Sequence, residues 1–171
     1  MYTNFNTINF LKLTKNIMAF YQFKAQQFIP ATLPEVWDFI SSPANLKKIT
    51  PEHMGFDITS RGLPEKMYPG MIISYKVKPV AGIPLTWVTE ITHVVENEFF
   101  VDEQRIGPYT MWHHEHHIKA TANGVMMDDI VSYQPPFGML GAVANSLLIR
   151  RQLQAIFDYR NMALEKKFGK Q

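Results

Sequence analysis

From residue 20 onward the chain switches between two hydrophobic periods. The stretch "FYQFKAQQFI" (20–29) is aromatic and β-rich, is closed by Pro30, and reads as a first strand. "TLPEVWDFI" (32–40) then takes helical spacing. Thr32 stands at the N-cap, Glu35 three residues on completes a capping box, and Pro34 is tolerated in the first turn. "SSPANLKKIT" (41–50) reads as a second short helix, capped by Ser42 with Pro43 at its first position and stopped by Pro51. From residue 56 the period is two. "FDITSR", "MIISYKVK", "PLTWVTEITHVV", "EFFVDEQRI", "YTMWHHEHHIKA" and "GVMMDDIVSY" are six candidate strands, separated by turn signals in "VAGI", Gly107-Pro108 and Asn123-Gly124. Links this short favour an antiparallel meander. After "QPPFGMLG" the apolar residues Ile149, Leu153, Ile156, Phe157 and Leu164 recur at helical spacing within a long segment from about Gly141 to Phe168.

The pattern predicts an α+β protein. A curved, seven-stranded antiparallel sheet wraps around one long C-terminal helix, with two short helices after the first strand. Wherever side chains do not fill the space between sheet and helix, a cavity remains.

The strand "MWHHEHHIKA" (111–120) carries four of the six histidines, and a strand sorts alternate residues onto opposite faces. With Gly107-Pro108 and Asn123-Gly124 each taken as a two-residue turn, the paired strands give one row of Phe99, Val101, Glu103, Arg105, Trp112, His114, His116, Ile118, Met127, Asp129, Val131 and Tyr133. The other row, with Asp102, Gln104, Met111, His113, Glu115, His117, Lys119, Asp128 and Ser132, is the wetter. The first row is therefore expected to face inward. Its charged members Glu103, Arg105, His114, His116 and Asp129 must pair with one another, because buried charge is costly alone. They read either as a polar network bracing a hollow sheet or as groups that orient a ligand's polar end. The outward row His113, Glu115, His117 reads as a solvated strand face, with its alternate side chains ~6.5–7 Å apart, and no metal centre is expected. The facing of residues 84–95 stays open, since both rows there are partly apolar and a one-residue bulge exchanges them.

Composition narrows the function classes. The 171 residues are 46% hydrophobic with a net charge of +2 and no long run of lysine or arginine, so one globular domain is expected and a nucleic-acid partner is not. The absence of cysteine excludes disulfides and thiolate chemistry. No apolar stretch approaches the ~20 residues that span a bilayer. Residues 1–17 lack the marks of a signal peptide and read as a dispensable extension, followed by a single domain over 18–171 and, by default, a cytoplasmic location. There is no G-x-S-x-G and no Gly-rich phosphate cradle, and no cofactor is expected.

The segments "IPATLPEVWDFISSPANLKKITP", "GPYTMWHHEHHIKATANGVMMDDIVSYQPPFG" and "RRQLQAIFDYR" together resemble the SRPBCC superfamily, the START-like or birch-pollen-allergen-like helix-grip domains. Within it the polyketide-cyclase/dehydrase and coenzyme Q-binding branch is the most similar. The resemblance covers residues 18–168. The pattern W-x-H-x-H-x-aromatic falls on Trp112, His114, His116 and Ile118, departing at the last position, and the Asp before V-x-Y falls on Asp129, Val131 and Tyr133. The resemblance implies a deep cavity for an apolar small molecule, with Leu153 and Phe157 of the C-terminal helix among its walls. Binding or carriage of a lipid, quinone or polyketide-like aromatic is the expected function. The alternative is cofactor-free acid–base chemistry, a cyclase, dehydratase or isomerase, on His114 or His116 tuned by Asp129 or Glu103. An interaction module would instead show a filled cavity and an exposed apolar patch.

Overall fold

The computed structural model describes residues 20–78 and 82–170, so the extension expected over 1–17, and the domain's start at residue 18, lie outside it. β1 (Tyr21–Ile29) leads into α1 (Leu33–Ile40), two 3₁₀ turns (Pro43–Ile49 and Glu52–Met54), and strands β2 (Asp57–Ile58), β3 (Met71–Val77), β4 (Leu85–Val95), β5 (Phe99–Ile106), β6 (Met111–Thr121) and β7 (Gly124–Gln134). A last helical run comprises α2 (Gly138–Ala144), a π-helical turn (Asn145–Ile149) and α3 (Arg150–Phe168). The strands form one antiparallel sheet in the order β1-β7-β6-β5-β4-β3-β2, the helix-grip layout expected from the sequence.

Thr32 starts α1 as its sequence implies: its backbone N–H and its hydroxyl both donate to Glu35 Oε2, at 2.9 and 2.6 Å. The apolar face of α1, Val36, Trp37, Phe39 and Ile40, is buried against Ile118, Met127 and Leu164 at one end of the sheet. The second short helix is a 3₁₀ turn rather than an α-helix. Asn45 Nδ2 donates back to Phe39 O (2.9 Å) and Thr50 N–H closes on Lys47 O.

The register with β3 settles the facing of β4: Trp87, Thr89 and Ile91 stand opposite Tyr75, Ile73 and Met71 and point inward, all three buried. Two irregularities in the pairing with β5 fall at Arg105 and, beyond Ile91, at Thr92.

The β5–β6 connection corrects the inner row. The pairs are Phe100 with His116, Asp102 with His114 and Glu103 with His113, one residue out of the expected register. The connection is not a two-residue turn. Gln104 folds its amide over the loop, Nε2 donating to Tyr109 O (2.7 Å) and Oε1 accepting from Tyr109 N–H (3.2 Å). A Cβ on Gly107 would sit 2.2 Å from Gln104 Oε1, so this close approach needs a glycine. Because a one-residue slip exchanges the faces of a strand, Phe99, Val101, Glu103 and Arg105 lie on the outer face, and Phe100 and Asp102 take the inner one. The β6–β7 hairpin turns on Ala122-Asn123, with Thr121 opposite Gly124. This shift of two leaves His114, His116, Ile118, Met127, Asp129, Val131 and Tyr133 on the inner face.

The C-terminal run starts with a tight reversal at Pro135–Gly141. A Cβ on Gly141 would meet Pro136 O at 2.1 Å. In the π turn the buried Asn145 points inward, and its Oδ1 accepts a 2.6 Å hydrogen bond from the Tyr133 hydroxyl. Phe137, Met139, Leu140, Val143, Leu147 and Leu148 stay exposed on the opposite side. From α3, Leu153, Phe157, Arg160 and Leu164 are buried under the sheet.

Tyr133→Phe removes the hydroxyl bonded to Asn145 Oδ1 and strands that buried acceptor, at a cost of about 1–3 kcal/mol. Urea denaturation should show the loss as a lowered midpoint with an unchanged slope.

Candidate functional site

Between the concave face and α3 lies an apolar cavity of about 1190 Å³, counting the solvent-open space at its mouth. Four aromatic rings crowd one side. Trp87 stacks on Tyr75 (6.2 Å between centroids) and meets Trp112 edge-on (5.3 Å), and Tyr109 leans on both tryptophans. Ile149, Leu153, Ile156 and Phe157 of the π turn and α3 face them, and Ile73, Ile91 and Phe100 close the sheet side. Tyr109 and Tyr75 hold their protons well into the alkaline range, because burial disfavours their phenolates. Trp87 Nε1 is buried and makes no hydrogen bond among the described residues.

The polar groups in this wall converge at one place. Asp129 on β7 turns a single oxygen, Oδ1, towards three nitrogens: His114 Nε2 at 3.0 Å, His116 Nδ1 at 2.8 Å and Arg160 Nη1 at 3.1 Å. Asp102 on β5 faces the other side of the same imidazoles, its Oδ2 lying 2.9 Å from His116 Nε2 and 3.4 Å from His114 Nδ1. A carboxylate only accepts, so His114 donates from Nε2 to Asp129 and His116 from Nε2 to Asp102, while His116 Nδ1 faces both Asp129 Oδ1 and Arg160 Nη2, the latter at 3.3 Å. With both carboxylates ionised and both His116 and Arg160 positive, the cluster is neutral overall. That satisfies the requirement that buried charges pair. Phe100 stacks on His116 at 4.1 Å and Phe157 meets His114 edge-on at 5.8 Å, which keeps water from the rings.

The protonation behaviour follows from this packing. Burial alone would raise the Asp129 carboxyl, but the Arg160 charge and the bonds from both histidines hold it well below the ordinary carboxylate range. Asp102 is held low against its burial by His116, His114 and Arg160. Burial lowers His114, and the neighbouring His116 adds to the effect. His116 is raised, because its two carboxylate partners outweigh its burial.

Of the residues expected at the site, Trp112, His114, His116, Leu153 and Phe157 line the cavity. Asp129 sits just behind the histidines. Ile118, Met127, Val131 and Tyr133 face inward but are packed into the core. Glu103 and Arg105 are not there. They belong to an ion-pair ladder on the outer face, with Arg105 on Glu90 (2.6 Å) and Glu103 (3.1 Å), and His113 on Glu103 (2.9 Å). Phe99 stacks on His117 in the same outer layer, and Val101, though buried, stands opposite Glu115 and His93. Asp102 and Arg160 replace them. Arg160 was within reach of sequence reasoning, since it continues the Leu153, Phe157, Leu164 stripe at helical spacing. Asp102 was lost with the register.

No protein-family model matches the chain, and no curated protein matches it in sequence. Solved structures do match its fold. Protein CV1439 from Chromobacterium violaceum superposes with a TM-score of 0.66 at 10% identity, covering 88% of this chain and 98% of its own. The di-domain ARO/CYC StfQ from the steffimycin biosynthetic pathway gives 0.65 at 14% identity over 88% of this chain and 50% of its own. The major latex-like protein 151 of Panax ginseng gives 0.62 at 10% identity, over 87% and 97%. The chain thus shares the fold of these birch-pollen-allergen-like proteins.

Two substitutions separate the inner cluster from the outer ladder. Arg160→Met leaves Asp129 and Asp102 short of a buried counter-charge and should cost about 3–5 kcal/mol in chemical denaturation. Arg105→Met breaks only half-exposed pairs and should stay within about 1 kcal/mol.

The cluster also sets acid stability. Asp129 and Asp102 have folded pKa values below their unfolded ones, so their contribution is present above the unfolded value of about 4 and is lost as pH falls through the depressed folded values. Denaturation midpoints measured from pH 6 down to pH 2 should therefore fall steeply below about pH 4. A midpoint independent of pH there would contradict the pairing.

Proposed function

We propose that the protein binds or carries an apolar, ring-bearing small molecule, of the lipid, quinone or polyketide-like aromatic class, in the cavity between sheet and α3. The observation that carries this reading is the composition of the cavity wall. It is mostly aromatic and aliphatic, with its charged groups gathered at one spot and a few neutral polar side chains (Thr50, Thr89, Gln152) elsewhere, the usual make-up of a small-molecule site. The flat rings of Trp87, Tyr109 and Trp112 suit a planar partner. His114, His116, Asp102 and Arg160 meet its polar end, and the unpaired Trp87 Nε1 offers a donor to a carbonyl or ether oxygen. The reading agrees with the role that the resemblance implies, and that resemblance is what supports assigning the chain to the polyketide-cyclase/dehydrase and coenzyme Q-binding branch.

A second reading, acid–base catalysis on the same ligand, is favoured by one feature. His114 lines the cavity between two carboxylates, and burial together with the neighbouring His116 lowers its pKa, which favours the neutral imidazole that a general base needs. Conversion of the bound molecule on incubation with the protein would favour it over simple carriage.

Native mass spectrometry of freshly purified protein, followed by extraction, should reveal an apolar molecule bound one to one. Replacing His114 by Gln strands buried partners and should weaken binding of that molecule by about 5- to 150-fold, the equivalent of 1–3 kcal/mol. The outer double variant His113→Gln/His117→Gln should bind as wild type. Loss of binding in the outer variant alone would refute the proposed orientation.

A further inference from the structure

We propose that Asp102, His114 and His116 form a binding site for one divalent transition-metal ion at the floor of the cavity. This goes beyond the ligand reading and does not rest on it.

The first argument is distance. Ligand bonds of 2.0–2.1 Å in a tetrahedral site place neighbouring donor atoms about 3.3 Å apart. Asp102 Oδ2 lies 2.9 Å from His116 Nε2 and 3.4 Å from His114 Nδ1, and one donor atom from each of the three residues falls within 4.8 Å of the others. The second argument is the back of each ring. His114 Nε2 and His116 Nδ1 both meet Asp129 Oδ1, so one carboxylate fixes both rings with their opposite nitrogens turned towards Asp102. A carboxylate behind a ligating imidazole is the arrangement that orients histidines on a metal.

The third argument is burial. His114 and His116 are both more than nine-tenths buried, and Nδ1 of the one and Nε2 of the other converge on the same Asp102 Oδ2. A cation bound by all three atoms takes the place of the proton between His116 Nε2 and Asp102, which is released on binding. The three residues all line the cavity, so the remaining coordination positions open onto it. Two imidazoles and one carboxylate are a donor set for zinc or iron(II) rather than for calcium or magnesium.

The outward row His113, Glu115, His117 is not this site. Its side chains are satisfied by Glu103 and by one another on the solvent side.

The test is Co²⁺ titration of the full, chelator-treated chain, followed by its visible absorption and by equilibrium dialysis. One equivalent should bind with the bands of a four- or five-coordinate ion. Asp102→Asn keeps shape and removes a ligand charge, and should weaken binding by at least about 100-fold; Asp129→Asn, behind the rings, should weaken it by about 10- to 100-fold. Circular dichroism and melting check that each variant is folded, and His114→Gln serves if Asp129→Asn is not. The outer double variant His113→Gln/His117→Gln should bind Co²⁺ as wild type. Absence of bound Co²⁺ in wild type, equal binding by Asp102→Asn, or loss only in the outer variant would each overturn the assignment. None of these outcomes depends on whether an apolar molecule is found.

Discussion

A single carboxylate oxygen ties the two layers of this protein together. Asp129 Oδ1 on β7 is shared by two imidazoles of β6 and by the guanidinium of α3. A helix that must leave room for a cavity cannot be held to the sheet by continuous apolar packing. Here the apolar contacts are separate patches, with Leu164 against Ile118 and Met127 towards one end, Phe157 against Phe23 towards the other, and Ile156 on the Trp87 cluster. The charged bridge stands between them. An ionic tie of this kind adds little net stability over an apolar one, but it is unforgiving of the loss of either partner. It fixes where the helix lies while leaving the space beside it open.

That arrangement also gives the cavity a direction. The aromatic wall of Tyr75, Trp87, Tyr109 and Trp112 has no charged member, and each of its rings is held by the next. The charged groups meet only at the floor, where Phe100 and Phe157 shield them. A bound molecule therefore meets a gradient from apolar to ionic along one axis, and its own polarity decides which end goes in first. The exposed Phe137, Met139, Leu140, Val143, Leu147 and Leu148 are the patch expected of an interaction module, but the filled cavity that should accompany it is absent.

Most of the fold was legible because each local signal agreed with the global one. Thr32 and Glu35 start α1, period-two runs mark the strands, and a 3.6-residue stripe marks α3. The site was legible only where parity did not matter. The β6–β7 pairing was misjudged by two residues and every inward side chain stayed inward, so His114, His116 and Asp129 were found together. The β5–β6 loop was misplaced by one, and Asp102 was exchanged for Glu103. The cause was Gln104, whose side chain does the work of a backbone pair, something that turn dipeptides do not reveal. Arg160 was missed for another reason: a charged residue on an apolar stripe looks like its edge until its partner on the sheet is known.

The Gln104 clasp has a consequence for how this protein can change length. Nine residues, 104–112, separate the last β5–β6 pair, Glu103 and His113. Taken up in the strand pairing rather than in the loop, a change of one residue there would transpose the two faces of β5 against β6, carrying Glu103 and Arg105 into the cavity and Asp102 out to solvent. Adding or removing two would leave the facing intact and only lengthen or shorten the loop. Viable length variants at this loop should therefore come in even steps, although loops elsewhere on the surface tolerate a change of any size.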